Sequence, residues 1–428
     1  MADDSTSPSA AQSVTESVTE SAAAFHRDRD DAPGLAHAPA RVRPEGLAEA
    51  AAALEAAAEA RQSLLFKGAG TALSWGAPPT STDLVVDTTG MDRPVGHAAE
   101  DWTVTVQAGM PLTRLQELLA PAGQWFPVDP PTASVGATIG GLLAAADDGP
   151  LRLAVGNLSG LVIGATLVLA DGTVARSGGQ VIKNVAGYDL AKLFAGSLGA
   201  FGLIAELTLR IHPLPAATAT LALAADDAER ALAAARAVVR SPLEPVAVEW
   251  DGEQLLVRFH GTADGTETRV RLATGIPALT GARVLDPDDA QAAWARVGAL
   301  ALGAEGDTVL RAGTRPAHLP ALARALRDAA RRTGVDATLL SSVAVGAHTV
   351  RLRGGDSAAH AACLTAWREA VHALGDGGTV TLRRRRDGVA GLAEPWGPAP
   401  ATAPLLCSLK RQFDPHDRCA PGRFAPWF

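Results

Sequence analysis

Residues 63–76 read SLLFKGAGTALSWG, a short apolar run that leads directly into a glycine-rich turn. The run Ser63 to Phe66 predicts a strand, and Lys67 to Thr71 (KGAGT) predicts the turn after it. Closely spaced glycines let backbone N–H groups converge on phosphate oxygens, since no Cβ obstructs the approach. Leu73 stands where a Rossmann fingerprint has its third glycine, and no GKS or GKT triplet of a P-loop occurs. By itself the turn is equally compatible with a plain structural connection.

A second glycine cluster lies at residues 137–145 (ATIGGLLAA), after the segment PVDPP at 127–131. Each glycine inside a helix costs about 1 kcal/mol relative to alanine. Something must offset that cost: close approach of a ligand to the backbone, which we favour, or tight packing of this helix on a sheet.

A third cluster runs from KNVAGYDL at 183–190 to FAGSLGAFG at 194–202 and contains the chain's single tyrosine, Tyr188. A plain connection between a helix and a strand, with Asp189 as an acid of the first helical turn, is the structural alternative. Phe413-Asp414-Pro415 and Pro421-Gly422-Arg423 follow near the C-terminus.

In this order the motifs resemble those of FAD-linked oxidases that have the vanillyl-alcohol oxidase / p-cresol methylhydroxylase (PCMH)-type FAD-binding domain. Residues 180–199 and 405–424 are most similar to the FAD-binding subunit of bacterial glycolate oxidase. The resemblance covers Arg61 to about Pro213 and the C-terminal end, and the middle of the chain only loosely. Each motif is modest alone, but several in the right order are specific.

The resemblance implies an α+β protein with a two-subdomain PCMH-type FAD-binding fold, followed by an α+β cap domain. Short strands interleaved with helices also favour the α+β class. We expect a disordered tail at 1–40, because it has almost no large apolar residues to bury. We then expect the FAD-binding domain at 41–215, a cap or substrate domain at 216–400, and a C-terminal segment at 401–428 that returns to the FAD domain.

Most of the residues that the resemblance implies for FAD binding stand in the quoted motifs. They are Gly68, Ala69, Gly70 and Thr71 at the pyrophosphate, Thr138, Gly140 and Gly141 along the ribityl chain and flavin, Gly149, Val162 and Leu203 as backbone contacts, and Arg423 in the tail motif near the flavin ring. Lys183, Asn184 and Tyr188 match the GYDL motif without an assigned role.

The chain departs from the family pattern at three positions. Ala420 replaces an asparagine, Ala200 replaces a threonine, and Gly160 replaces an aspartate often found before the adenine-contacting strand. Neither the first loop nor the TIGG region has the His or Cys to which covalent flavins are attached. We therefore expect non-covalent FAD.

No catalytic residue can be assigned from the sequence. Oxidation of a 2-hydroxy acid needs a base for the hydroxyl proton and a cation for the carboxylate. The HxGDGNxH-like motif of D-lactate dehydrogenases is reduced here to Gly-Asp-Gly-Gly at 375–378, and His260, His348 and His372 are only weak candidates for the base. We expect the arginine run at 383–386 to be a solvated strand end rather than an anion or docking site.

Composition excludes several classes of function. The 428 residues, 47% of them hydrophobic, suffice for two or three domains, and the net charge of −8 argues against a nucleic-acid binder. Three scattered cysteines provide no disulfide framework, zinc site or four-cysteine iron–sulfur cluster, so no metal is expected. The acidic first residues lack a signal-peptide pattern and no apolar run could span a bilayer, which predicts a soluble, cytoplasmic protein.

Three functional hypotheses follow. The first is an FAD-binding subunit that takes part in oxidising glycolate or D-lactate-type 2-hydroxy acids. A second flavin subunit and an iron–sulfur subunit would be its partners and its link to the membrane. The second is a stand-alone FAD-dependent dehydrogenase of a 2-hydroxy acid or alcohol. The third is a scaffold subunit that binds FAD poorly or not at all.

Overall fold

The computed structural model describes residues 39–179 and 188–428. The tail expected at residues 1–40 therefore lies almost wholly outside the described residues, as do Lys183 and Asn184 of the third motif. No helix in the described part of the chain is both long and apolar enough to cross a membrane.

A small parallel sheet comes first, with the order β1-β3-β2: β1 (Ala40–Val42), β2 (Leu64–Lys67) and β3 (Leu84–Asp87). Helix α1 (Leu47–Glu59) joins β1 to β2, and its alanine-, leucine- and glutamate-rich sequence favours the helical state. It buries Leu54 in one core with Leu64 and Leu203. That shared core packs this sheet against the next one.

The second sheet is antiparallel, with the order β4-β5-β9-β7-β8. Its strands are β4 (Pro94–Ala98), β5 (Thr103–Gln107), β7 (Val162–Val168), β8 (Val174–Gly178) and β9 (Leu203–Arg210), and the helices of its connections are α2 (Leu112–Leu119), α3 (Ile139–Ala145), α4 (Arg152–Val155) and α5 (Leu190–Phe194). The short strands β6 (Gln124–Trp125) and β10 (His212–Pro213) pair beside it. Helix α3 buries Ile139 and Leu142 in its core.

The third sheet has eight antiparallel strands in the order β14-β11-β13-β12-β16-β17-β15-β18. They are β11 (Ala217–Ala224), β12 (Ala247–Trp250), β13 (Gln254–Gly261), β14 (Arg283–Val284), β15 (Thr308–Gly313), β16 (Asp336–Ser342), β17 (Ala347–Arg353) and β18 (Thr379–Arg384). One face is covered by α6 (Ala228–Val239), α7 (Ala263–Thr274), α9 (Leu319–Thr333) and α10 (Ser357–Ala373).

The two faces of this sheet pack against different parts of the protein. Because side chains alternate along a strand, Leu255 of β13 joins the core under the four helices, whereas Leu256 points to the opposite face. There it packs with Val297 of helix α8 (Pro287–Leu302). This second face turns toward the part of the chain that holds β1 to β10, which we call the first domain.

The C-terminal segment returns to the small parallel sheet. After helix α11 (Ala403–Phe413), Leu64 N donates to Arg418 O at 2.7 Å and Ala420 N donates to Leu64 O at 2.8 Å. Further along, Thr80 N donates to Pro421 O at 2.8 Å. These bonds bring Arg423 beside the glycine-rich turn.

The structure confirms the α+β class, and the strand predicted from Ser63 to Phe66 is β2 (Leu64–Lys67). Helices α7 and α8 were not predicted from the sequence, although their N-caps Thr262 and Asp286 are ordinary helix-start signals. The prediction of a solvated strand end at 383–386 is wrong. Arg383 pairs with buried Asp147 of the first domain at 2.7 Å, and Arg384 is itself buried.

Candidate functional site

A cleft of about 700 Å³ lies where strand β2, the start of helix α3 and the start of strand β9 meet the C-terminal segment. Most of the sequence-predicted site residues line it. They are Gly68, Ala69, Gly70, Thr71, Thr138, Gly140, Gly141, Leu203 and Arg423. Residues far apart in the chain thus form one site.

The glycine-rich turn lies directly against the start of α3. A Cβ at position 68 would come within 2.3 Å of Thr138 Oγ1, so the contact itself requires glycine there. Gly70 has a φ of +79°, which disfavours other residues. Thr138 is the N-cap of α3 and accepts a hydrogen bond from Gly141 N at 3.2 Å. The two motifs therefore form one rigid wall of the cleft.

The structure gives a packing reason for one of the helical glycines. Gly140 N donates to Ala108 O at 2.8 Å, and a Cβ at position 140 would lie 2.5 Å from Ala108 Cβ. The tight-packing alternative therefore accounts for Gly140. A Cβ at position 141 would meet only the capping hydroxyl of Thr138, at 3.0 Å, and would otherwise point into open space.

Arg423 brings a buried positive charge to the cleft. It is 3% exposed, and its Nη1 and Nη2 donate to the carbonyls of Ala77 and Ala72, both at 3.1 Å. Its Nε is buried without a hydrogen-bond partner. Burial and, to a smaller extent, the charge of Arg385 lower the pKa of Arg423 to about 9, so it is cationic at neutral pH. A buried cation whose Nε has no protein partner suits a bound anion.

Two sequence-predicted residues lie outside this cleft. Val162 is 4% exposed in the core of the antiparallel sheet. Gly149 packs on the backbone of Asp129 and lines a second cavity. Tyr188 is 91% exposed.

The second cavity lies between the two domains and has a volume of about 1110 Å³, open to solvent. The first domain contributes Asp129, Asp148 and nearby prolines to its wall. The eight-stranded sheet contributes Glu249, Arg258 and Arg311, and helix α8 supplies an apolar side. This is the charged face of the sheet.

The acids that line this cavity have raised pKa values. Glu249 is 2% exposed, and burial raises its pKa to about 8. Burial likewise raises the pKa of Asp129 to about 7, although the nearby Arg258, 3.4 Å away, lowers it. Clefts with such perturbed acids are frequent functional sites.

The histidines considered as bases lie elsewhere. His348 is fully buried between Thr314 and Ser341, and burial lowers its pKa to about 3. His372 is exposed near the end of α10, and His260 packs beside Trp125. None of the three lines either cavity. Sequence reasoning missed Glu249, whose signal is an acid inside the apolar strand Ala247–Trp250.

Residues 38–178 match the family described as FAD binding domain. The first domain is therefore similar to the FAD-binding domains of FAD-linked oxidases. Its cofactor is FAD, and the cleft fits that assignment, because the buried cation Arg423 lines it and its Nε has no hydrogen-bond partner among the described residues. FAD supplies a two-electron acceptor when bound. The cleft would offer such a group the glycine-rich turn, the Thr138 cap and the Arg423 cation.

Several curated proteins are similar to this FAD-binding chain. It is 31% identical to glycolate oxidase subunit GlcD of Bacillus subtilis (strain 168) over 50% of this chain and 46% of that protein. It is 36% identical to glycolate oxidase subunit GlcE of Escherichia coli (strain K12) over 30% of this chain and 36% of that protein. A D-lactate dehydrogenase of Archaeoglobus fulgidus is 32% identical over 49% of this chain and 46% of that protein. The chain thus spans less than half the length of these relatives.

Among solved structures, an alkyldihydroxyacetonephosphate synthase matches with a TM-score of 0.66 and 15% identity, over 89% of this chain and 75% of the other. This likeness concerns the fold alone. It extends over both domains, and the predicted PCMH-type fold is confirmed. In the described part of the chain, no group of three or more His, Cys, Asp or Glu side chains is placed to hold a metal ion.

Proposed function

We propose that this chain is an FAD-dependent oxidoreductase subunit that takes part in the oxidation of glycolate or D-lactate-type 2-hydroxy acids. The observation that carries the proposal is the FAD-binding domain, whose curated relatives are glycolate oxidase subunits and D-lactate dehydrogenases. Glycolate oxidase subunits are by name parts of an assembly. We therefore propose a second flavin subunit and an iron–sulfur subunit as partners that receive the electrons.

We propose that FAD is held without a covalent bond, by the turn at 68–71, by Thr138, Gly141 and Leu203, and by Arg423. The residues lining the cleft include neither histidine nor cysteine, the side chains that most often form flavin bonds in this fold. Precipitation of the FAD-loaded protein with acid should release all flavin into the supernatant. Flavin that stays with the pellet would contradict non-covalent binding.

Reduction of the flavin by substrate tests the function. The visible spectrum of the purified chain is recorded anaerobically before and after glycolate or D-lactate, with ethylene glycol as the control that lacks a carboxylate. We expect an oxidised flavin spectrum that persists with the chain alone and bleaches once the partner subunits are added. Purification without flavin, or no bleaching in the complete assembly, would overturn the proposal.

The second cavity favours one alternative, a stand-alone dehydrogenase. Arg258 and Arg311 could bind a substrate carboxylate, and Glu249 is an acid beside them. Bleaching of the flavin by glycolate or D-lactate in the isolated chain would select this alternative over the subunit.

A further inference from the structure

The loop at residues 72–77, which continues the glycine-rich turn, is held from outside by the second domain. By the second domain we mean the eight-stranded sheet, its helices and the segment 385–402 that follows β18. Gly76 N donates to Leu382 O of β18 at 2.9 Å, and Arg385 Nη1 donates to Gly76 O. The backbone of this first-domain loop is therefore bonded to the other domain in both directions.

Trp396 of the second domain packs against the same loop. A Cβ at position 76 would lie 2.0 Å from Trp396 Cζ2, and Gly76 has a φ of +66°, so the close approach of the ring requires glycine. Trp396 Nε1 also donates to Arg423 O at 2.9 Å, and its ring stacks on Phe424 with 4.8 Å between the centroids. One side chain thus contacts both the loop and the C-terminal segment.

Arg423 connects the loop to the cleft of about 700 Å³, which we call the first cleft. Its Nη1 and Nη2 donate to the carbonyls of Ala77 and Ala72, the two ends of the loop. Ala72 and Arg423 both line the first cleft. The described residues that line it do not include Arg385 or Trp396. Contacts made outside the cleft therefore position a cation inside it.

The charges of Arg385 and Arg423 repel each other. Burial and, to a smaller extent, the charge of Arg385 lower the pKa of Arg423 to about 9. Neither guanidinium group forms a salt bridge within the described part of the chain. In the protein without cofactor this repulsion opposes docking of the second domain, and an anion in the first cleft offsets it. FAD carries negative charge on its pyrophosphate, and guanidinium groups suit phosphates.

We propose that the second domain is part of the cofactor site, with Arg385 and Trp396 as positioning residues for the loop at 72–77 and for Arg423, so that FAD binding and domain docking stabilise each other. Because coupling between two binding events is reciprocal, the factor by which docking raises the affinity for FAD equals the factor by which FAD strengthens docking. The inference rests on the proposed FAD site in the first cleft and is independent of the substrate.

The first measurement uses the unmodified full-length chain. Hydrogen exchange is followed in peptides that cover residues 380–397, in the flavin-stripped protein, with FAD, and with riboflavin, which lacks the phosphates. We expect FAD to slow exchange in this segment, because a docked segment opens less often, and riboflavin to slow it less. Peptides from α7, which lies on the other face of the sheet, report any general stabilisation and should change less than 380–397.

Arg385→Met tests the charge. It should weaken FAD binding about fivefold or more and riboflavin binding much less. The affinity of this variant for FAD should also depend less on salt concentration, a change that a merely structural defect does not produce. Arg385→Lys keeps the charge and should recover much of the affinity. Arg271→Met, at an exposed position of α7, is the matched control.

Gly76→Ala tests the packing contact with Trp396. It should weaken FAD binding and remove the slowing of exchange at 380–397, although residue 76 does not line the first cleft. Gly123→Ala is the control, because Gly123 has a φ of +65° and a Cβ there would meet nothing within 4 Å. Both variants have the same backbone strain, so a difference between them comes from the contact. Thermal unfolding establishes that each variant is folded.

The outcomes separate this inference from the proposed oxidation. Unchanged exchange at 380–397 with FAD overturns the inference, as do FAD affinities in Arg385→Met and Gly76→Ala that equal those of their controls. An equal loss of FAD and riboflavin affinity in Arg385→Met, with unaltered salt dependence, also overturns it. The expected results support it even if neither glycolate nor D-lactate reduces the flavin of the complete assembly. In that case only the proposed oxidation fails.

Discussion

Arg423 is brought to the first cleft by the fold of the C-terminal segment. It lies five residues from the C-terminus and reaches the turn at 68–71 only because the chain end pairs with Leu64. Two of its three guanidinium nitrogens donate to backbone carbonyls, and the third, Nε, has no partner in the described protein. A charged hydrogen bond to a ligand contributes about 1.5–3 kcal/mol.

Arg423→Met should therefore lower the affinity for FAD by roughly ten- to a hundredfold, since about 1.4 kcal/mol corresponds to a factor of ten. Titration of the flavin-stripped protein with FAD, followed by flavin fluorescence, measures this change. Arg411→Met, at an exposed position of α11, is the matched control. Unchanged FAD affinity in a folded Arg423→Met protein would remove Arg423 from the cofactor site.

Helix α3 shows how an element can serve the site and the fold at once. Its N-cap Thr138 touches the glycine-rich turn, while Gly140 in its first turn lies against Ala108. The sequence pattern ATIGG predicted that a ligand approaches the backbone of this helix closely. The pattern could not separate ligand approach from packing, because both require the same absence of side chains.

Gly140→Ala should destabilise the protein, since the added Cβ would stand 2.5 Å from Ala108 Cβ and overpacking costs typically about 1–3 kcal/mol. The shift of α3 should also lower the affinity for FAD. Urea unfolding and flavin titration measure the two effects. Gly96→Ala in β4, where a Cβ meets nothing within 4 Å, is the control. Equal unfolding midpoints for both variants would contradict the packing argument.

At the scale of the whole molecule, buried charges join the two domains. Arg383 of β18 pairs with Asp147 at 2.7 Å and lies over the ring of Trp75, 3.9 Å from its centroid. Asp147 also accepts a hydrogen bond from Thr132 at 2.6 Å. The charged face of the third sheet is thus an interdomain face, and two of its arginines, Arg258 and Arg383, pair with acids of the first domain.

Arg383→Met should cost about 3–5 kcal/mol in the free energy of unfolding, because it leaves buried Asp147 without its cation. The double variant with Asp147→Asn should cost less than the sum of the two single changes. The exposed pair Arg353–Asp336 provides a control cycle, expected to give at most about 1 kcal/mol. Denaturant unfolding measures both cycles, and similar coupling energies in the two would contradict a structural role for the interdomain pair.

The sequence by itself determined the FAD-binding domain, the α+β class and most residues of the first cleft. Its glycine-rich turn, the ATIGG helix start and the C-terminal Pro-Gly-Arg are local patterns, and local backbone requirements can be recognised in a sequence. The strand before the turn was equally readable, because a short apolar run that ends at glycines is typical of a strand and its turn.

Only the tertiary structure decided which side chains line the same cavity. Glu249, Arg258 and Arg311 come from three strands, and each is an unremarkable charge in the sequence. They line one cavity because of which side of each strand faces the helices and because of the strand order in the eight-stranded sheet. The same dependence made the prediction for residues 383–386 wrong. A strand's sequence shows that its side chains alternate, but which face is solvated depends on the domain that packs against it.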